Sequence, residues 1–305
     1  MTSRILVPLD GSIAAEAVLP HVERIATAVN ARVLLFAAVD RPRDWGEDTG
    51  GDLKGERHEA ESYLRRLQAR LTSATGNDVE AEVVASEPAA GILAAAERQQ
   101  PDLIAMTTHG RSGVARWILG SVAAKVLHAS HTPLLLVRPP ADGKQSNTST
   151  LKRLLVPLDG SDLSTSVLPF AGDLAKRLGA SLVLFHAVYE PVMTYPGAEA
   201  VFDTPVLEEM EAGAREYLKP AAGDLTEQGV KVDVVAAIGN ATDGIVWAAE
   251  RQDADLIVMS THGRSGLGRM VLGSVADGVV RRTSLPVIVV RPAATTNDAR
   301  ARNAG

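Results

Sequence analysis

The chain has 305 residues, about twice the length of a usual domain, and its 46% hydrophobic and 22% charged residues are typical of a folded protein. Its formal charge of −6 gives no electrostatic reason to expect nucleic acid or an anionic membrane as a partner. The absence of cysteine excludes disulfides and thiolate metal sites and fits the reducing cytoplasm.

The sequence contains no stretch that resembles a membrane span or a leader. A spanning helix needs about eighteen consecutive apolar residues, and no run reaches that length. The first ten residues lack the apolar core of a signal peptide. We therefore expect a cytoplasmic protein.

One unit is repeated along the chain. The segment RILVPLDGS at 4–12 returns as RLLVPLDGS at 153–161, and THGRSG at 108–113 returns at 261–266. Such self-similarity indicates tandem copies of one fold. We expect domains at 1–140 and 151–293, a polar linker at 141–150 and a flexible tail at 294–305.

Within each copy, short apolar runs alternate with stretches of helical length. Taken in chain order, the first copy predicts strands at 5–9, 32–39, 79–85, 103–106 and 134–137, with helices at about 13–29, 53–72, 89–98 and 120–130. The second copy predicts strands at 154–158, 181–188, 232–236, 256–259 and 287–290. This alternation predicts an α/β fold of two doubly wound domains, each with a five-stranded parallel sheet covered by helices on both faces.

Ligands of such sheets bind beyond the carboxyl ends of the strands, where the strand order reverses. The segment PLDGS follows the first strand of each copy, at 8–12 and 157–161. Its aspartate and serine are typical of a helix cap and its glycine of a turn. The carboxylate is also suited to accept hydrogen bonds from a ligand, so both interpretations remain open.

A second candidate is the glycine-rich loop after the fourth strand, which leads to Gly120-Ser121 at a helix start and recurs before Gly273-Ser274. Glycines let backbone N–H groups approach an anion, and a helix N-terminus favours negative charge. These are the parts of a phosphate cradle. A flexible connection capped by serine explains the same residues.

Other chemistry is poorly supported by the sequence. His109 and His262 suit a hydrogen bond that orders the loop better than an acid–base role, and Arg111, Arg116, Arg264 and Arg269 are surface residues or counter-charges. His128 and His131 lack a third metal ligand, and neither a P-loop nor a Gly-x-Ser-x-Gly elbow is present. We predict no catalytic residue and no metal ligand.

The motifs VPLDGS, THGRSG and LGSV, each present in both copies, resemble the universal stress protein family in a tandem form. The resemblance covers residues 3–139 and 152–292. ATP-binding members of the family carry Gly-x2-Gly-x9-Gly-[Ser/Thr], and this chain matches all but its first glycine.

The resemblance implies a strand order of 3-2-1-4-5 and ATP, with or without Mg²⁺, at the switch between strands one and four. It implies contacts to the nucleoside from the strand ends and to the phosphates from the loop and helix start. The positions that match are Pro8, Asp10, Ala38, Met106, Thr107, Gly110, Gly120, Ser121 and Val122 in the first copy, and Pro157, Asp159, Ala187, Met259, Ser260, Gly263, Gly273, Ser274 and Val275 in the second.

The first glycine of that motif is replaced by Thr107 in one copy and by Ser260 in the other. A β-carbon at this position limits how closely a ligand approaches the backbone. A hydroxyl compensates in part as a hydrogen-bond donor. We expect the first copy, with its branched Thr107, to bind more weakly.

The resemblance therefore implies an ATP-binding regulator of the stress response, in which the nucleotide changes the surface offered to a protein partner and is hydrolysed slowly if at all. Two alternatives stay open: an interaction protein whose pockets no longer bind nucleotide, and an enzyme that transfers adenylyl or phosphoryl groups. The apolar last strands, at 134–137 and 287–290, would be exposed as bare edges. We expect the two domains to pair there as an intrachain pseudo-dimer, and two chains to pair again as a homodimer.

Overall fold

The computed structural model of the chain describes residues 3–39, 50–109, 119–140, 151–189, 204–261 and 272–291. The first copy consists of β1 (Arg4–Pro8), α1 (Ile13–Glu16), α2 (Leu19–Val29), β2 (Arg32–Val39), α3 (Gly50–Thr75), β3 (Val79–Ala85), α4 (Pro88–Gln99), β4 (Leu103–Thr107), α5 (Ser121–Ala129) and β5 (Leu134–Val137). The second copy consists of β6 (Arg153–Pro157), α6 (Asp162–Thr165), α7 (Leu168–Leu178), β7 (Ser181–Val188), α8 (Thr204–Glu227), β8 (Val232–Ile238), α9 (Ala241–Arg251), β9 (Leu256–Ser260), α10 (Ser274–Arg282) and β10 (Val287–Val290).

The ten strands form one sheet in the order β3-β2-β1-β4-β5-β10-β9-β6-β7-β8. Every pairing within a copy is parallel. Because parallel strands buried on both faces need apolar side chains throughout, the continuous apolar runs of the sequence became these strands. The predicted α/β class with two tandem doubly wound domains is confirmed.

The two copies join through their last strands, which pair antiparallel. Ile288 of β10 lies opposite Leu135 of β5, and both side chains are fully buried. The guanidinium of Arg291, just after β10, donates to the carbonyl oxygens of His128 and Ser130 at the end of α5, each at 3.3 Å. The predicted intrachain pairing of the apolar last strands is therefore present. The carboxyl ends of the two sets of parallel strands consequently point in opposite directions.

Helices cover both faces of the sheet and enclose two core layers. One layer packs α2, α3, α7 and α8 against the sheet, with Ile25, Leu64 and Leu218 fully buried in it. The other layer packs α4, α5, α9 and α10, with Val126 and Val279 fully buried. The candidate crevices open at the edge of this second layer.

The helix predicted at about 13–29 is wrong in one respect, because the structure contains two helices there. The short α1 ends at Glu16, and α2 starts again at Leu19 with Pro20 in its first turn. Proline lacks an N–H and is tolerated at a helix start but not inside a helix. The second copy breaks in the same way before Pro169.

Across the six described ranges, no helix is both long and apolar enough to cross a membrane.

Candidate functional site

The second copy contains a cavity of about 270 Å³ at the carboxyl ends of β6, β7 and β9, beneath the starts of α9 and α10; we call it the second crevice. Eight of the nine residues that the sequence assigned to a ligand in this copy line it: Pro157, Asp159, Ala187, Met259, Ser260, Gly273, Ser274 and Val275. The ninth, Gly263, lies outside the described residues.

The walls of the second crevice are mostly apolar, with a few polar groups among them. Phe185, Ile245 and Met259 contribute buried apolar surface. Ser274 and Asp159 contribute polar groups. A pocket with an apolar body and a few fixed polar groups is typical of sites for small organic ligands, which measure about 300–1,000 Å³.

The start of α10, where Gly273, Ser274 and Val275 line the crevice, has uncapped backbone N–H groups. Its N-cap residue, Gly273, donates its own N–H to the carbonyl oxygen of Thr261 at 2.8 Å. The first bond inside the helix runs from Asp277 N–H to Gly273 O at 2.9 Å. Among the described residues, no side chain caps this helix. The N–H groups of the first turn and the positive end of the helix dipole are therefore suited to an anion.

The aspartate after the first strand is held by its own turn. Asp159 Oδ1 accepts hydrogen bonds from Ser161 N–H at 3.0 Å and from the Ser161 hydroxyl at 2.6 Å. Asp10 Oδ1 accepts the same two bonds from Ser12 at the same distances. The glycine between them adopts a positive φ, 84° at Gly11. The turn-and-cap interpretation of PLDGS is thus confirmed, and these bonds also fix the orientation of each carboxylate.

The corresponding place in the first copy, at the ends of β1, β2 and β4 beneath α4 and α5, is called the first crevice. Gly120 begins α5 there and donates its N–H to Thr108 O at 2.7 Å. A Cβ on Gly120 would lie 2.9 Å from that carbonyl oxygen. Real Cβ atoms do not approach backbone this closely, so the fold itself requires glycine at this position.

Two hydroxyls, one at the end of β4 and one at the start of the following loop, form hydrogen bonds with His109. Thr107 is buried, and its hydroxyl donates to His109 O at 2.8 Å. It is used inside the loop, and so the expectation that this hydroxyl replaces the missing glycine as a ligand donor is not supported. The Thr108 hydroxyl lies 3.0 Å from His109 Nδ1, a hydrogen bond that orders the loop as expected.

Charged groups near the first crevice are paired with each other. Glu87 caps α4 by accepting from Ala90 N–H at 2.8 Å and forms an ion pair with Lys125 of α5 at 2.9 Å. The backbone hydrogen bond and the Lys125 ammonium lower the pKa of Glu87.

On the opposite face of the sheet, burial and the negative charge of Glu16 raise the pKa of Tyr63.

The remaining predicted residues of the first copy lie at the positions that the strands dictate. Pro8 ends β1, Ala38 lies on β2, and the buried Met106 precedes Thr107 on β4. Ser121 and Val122 form the first turn of α5. Residues outside the described ranges are Gly110, His262 and the loop arginines Arg111, Arg116, Arg264 and Arg269.

Sequence reasoning missed several residues that line the second crevice. Phe185 precedes Ala187 by two positions on β7 and therefore shares its face of the sheet. Ile245 follows Ala241 by one helical turn on α9. Ser164 accepts a hydrogen bond from Asp159 N–H at 3.2 Å and donates to Ser161 O at 2.8 Å. The periodicities of strand and helix would have found the first two, whereas no sequence signal indicates Ser164.

The candidate metal ligands of the described ranges are their acidic and histidine side chains. Within those ranges, no three His, Asp or Glu side chains come together as a metal site. His128, one of the two histidines considered as metal ligands, lies in α5. Its Nδ1 is 2.5 Å from the carbonyl oxygen of Ala124 in the same helix.

The fold defines a tandem, doubly wound α/β protein, with a cavity at the carboxyl ends of the strands in its second copy. The sequence model of the Universal stress protein family matches residues 1–138 and 150–291. The chain belongs to this family.

Several relatives support the same assignment. A universal stress protein of Methanocaldococcus jannaschii is 36% identical over 141 residues, which are 46% of this chain and 82% of the relative. A universal stress protein of Mycobacterium bovis is 27% identical over 271 residues, which are 88% of this chain and 86% of the relative. The match along most of the second protein shows that the tandem arrangement is shared.

Solved structures show the fold. A universal stress protein from Archaeoglobus fulgidus matches with a TM-score of 0.67 at 23% identity and covers 95% of this chain and 96% of its own. A protein described as a putative universal stress protein from Pseudomonas aeruginosa matches with a TM-score of 0.69 at 20% identity, covering 99% of this chain and 96% of its own.

Proposed function

We propose that the chain binds ATP in its second crevice and acts as a cytoplasmic regulator of the stress response. The observation that carries the proposal is the convergence of Asp159, Ala187 and Ser274, chosen from sequence alone, on one cavity at an uncapped helix start. The apolar walls suit an adenine base, and the first turn of α10 suits phosphate.

The described lining of the cavity argues for binding without rapid turnover. Asp159 is its one acidic residue, and Asp159 Oδ1 already accepts two hydrogen bonds from Ser161. Hydrolysis of ATP needs a group that orients water and cations that neutralise the leaving phosphate. We therefore expect slow hydrolysis at most, with Mg²⁺ held by the phosphates and not by a cluster of protein carboxylates.

Titration calorimetry with ATP, with and without Mg²⁺, tests the proposal on the full chain. Ala187→Leu places a larger side chain in the cavity and is expected to abolish binding, whereas the exposed Ala212→Leu on α8 serves as a matched control. ATP at about 100 times its Kd should stabilise the wild type by about 2.7 kcal/mol. Absence of heat and of stabilisation in the wild type would overturn the proposal.

An interaction protein that needs no nucleotide is the second candidate. It is favoured by the finding that Asp10, Asp159 and Gly120 all have roles in the turns of the fold itself. Mass spectrometry of the denatured, freshly purified protein separates the two candidates. Retained adenine nucleotide would exclude the second.

We also propose that the regulatory output is a surface offered to a protein partner, in a homodimer of the chain. The last strands are paired inside the chain, so a homodimer would use another surface. Light scattering of the protein with and without ATP tests this assembly. A monomer under both conditions would contradict it.

A further inference from the structure

The first and second crevices differ at the entry to the helix that covers each of them. In the second copy this position is Gly239, with a φ of 141° and nothing within 4 Å of a Cβ placed on it. In the first copy the corresponding residue is Ser86. The correspondence rests on matched helix starts, since Gly91 N–H bonds to Glu87 O as Gly244 N–H bonds to Asn240 O.

Ser86 directs its side chain towards Gly91 at the start of α4, on the side of that helix that faces Phe36. A Cβ placed on Gly91 would collide with the hydroxyl oxygen of Ser86 and would lie 3.2 Å from Cζ of Phe36. In the second copy, a Cβ on Gly244 meets Phe185, which lines the open cavity, at the same 3.2 Å. The Ser86 hydroxyl therefore lies beside Gly91, in the region of Phe36, in the first copy. Gly239 has no side chain, so the equivalent space near Phe185 stays free in the second copy.

Two residues that line the second cavity have bulkier counterparts in the first copy. Ala241 lines the second cavity, and its counterpart is Pro88 at the start of α4. Ser260 also lines that cavity, and its counterpart is the branched Thr107. The one difference in the other direction is Ala15, whose counterpart is Ser164. The first crevice thus carries the larger total side-chain volume in its walls.

The environment of Ser86 indicates that packing holds it in place. Its hydroxyl oxygen is buried and has no hydrogen-bond partner among the described residues. An unpaired buried hydroxyl is unfavourable, so its position reflects close packing and not a polar contact.

From these differences we infer that the chain holds a single nucleotide, in the second crevice, and that Ser86 and Pro88 close the first crevice to it. The inference rests on the proposed function and adds its stoichiometry and the residues that set it. The tandem is then functionally asymmetric: the second copy responds to nucleotide, and the first copy serves as its fixed partner across the β5–β10 junction.

Native mass spectrometry and titration calorimetry of the full chain with ATP test the inference. The wild type should bind one equivalent, Ala187→Leu none, and the matched Ala38→Leu in the first crevice one. Ser86→Gly combined with Pro88→Ala gives the first copy the residues of the second at these two positions and should raise the stoichiometry to two. The equivalent retained in the second crevice reports that this variant is folded, and Ser73→Ala on the exposed side of α3 serves as the control.

Each other outcome contradicts a defined part of the account. Two equivalents bound by the wild type would overturn the inference and leave the proposed function intact. If the wild type bound one equivalent and Ala38→Leu bound none, the ligand would lie in the first crevice. That result would also overturn the inference. A double variant that still binds one equivalent would overturn the assignment to Ser86 and Pro88. No binding by the wild type would overturn the proposed function and this inference together.

Discussion

The N–H of Gly120 donates a hydrogen bond to the carbonyl oxygen of Thr108 at 2.7 Å, which holds the start of α5 against the end of β4. Gly273 and Thr261 form the equivalent bond at 2.8 Å. Each of these two glycines therefore has a structural role that does not depend on a ligand. Substitutions at these glycines test the fold, and ligand binding is better tested at Ala187.

Gly120→Ala should destabilise the chain without any ligand. Its Cβ would lie 2.9 Å from Thr108 O, and overpacking of this kind is unfavourable by about 1–3 kcal/mol. Urea unfolding measures the change. Gly55→Ala in α3, where a Cβ meets nothing within 4 Å, should instead stabilise by about 0.5–1 kcal/mol. Equal destabilisation by both would contradict the close approach at Gly120.

His21 makes the free energy of unfolding depend on pH. Burial in α2 lowers its pKa from 6.5 to about 4, so the unfolded chain binds a proton more readily than the folded chain. The contribution of His21 to the free energy of unfolding should be constant above pH 6.5. It should fall by about 3 kcal/mol as the pH decreases towards 4. His21→Phe, which copies Phe170 of the second repeat, should remove this fall. Unfolding curves between pH 7 and 4 measure it.

The exposed His58→Phe on α3 is the control for that series, because it makes the same substitution at the surface of the chain. If wild type and His21→Phe lost the same stability between pH 6.5 and 4, the account of His21 would be wrong.

Arg291→Ala should weaken the junction between the two copies. The guanidinium donates to His128 O and Ser130 O, carbonyls at the end of α5 that otherwise lack helical partners. Loss of these bonds should lower the free energy of unfolding by about 1 kcal/mol. Hydrogen exchange should locate the change at the end of α5, whereas the exposed Lys231→Ala should leave exchange there unaltered. Unchanged protection of residues 126–130 in Arg291→Ala would refute the capping role.

Ser164→Ala should loosen the turn that carries Asp159. The Ser164 hydroxyl accepts from Asp159 N–H and donates to Ser161 O, so its loss should destabilise the second copy by about 1 kcal/mol. Thermal unfolding measures this. Alanine is already present at the corresponding Ala15, which shows that the turn itself tolerates it. A variant as stable as the wild type would mean that solvent replaces both bonds.

The strands were predictable because their residues are apolar on both faces. Arg32–Val39, Leu134–Val137 and Val287–Val290 match the predicted strands residue for residue. The break before α2 was missed because its apolar periodicity continues through residues 17–18, while Pro20 cannot extend a helix from α1.

Within the crevices, motif positions were predictable and wall positions were not. Asp159 and Gly273 lie at strand and helix ends, where the repeat marks them. Ser86 and Gly239 differ between the copies, so the repeat gave no signal, and only the three-dimensional contact with Gly91 and Phe36 reveals their effect.

A crystal structure of the full chain grown with ATP and Mg²⁺ tests the central claim most directly. The account predicts one adenine in the second crevice, against Phe185, Ile245 and Met259, with phosphate at the backbone N–H groups of Ser274 and Val275. Electron density for ATP at any other place, or a second crevice that stays closed to ATP at saturating concentration, would contradict it.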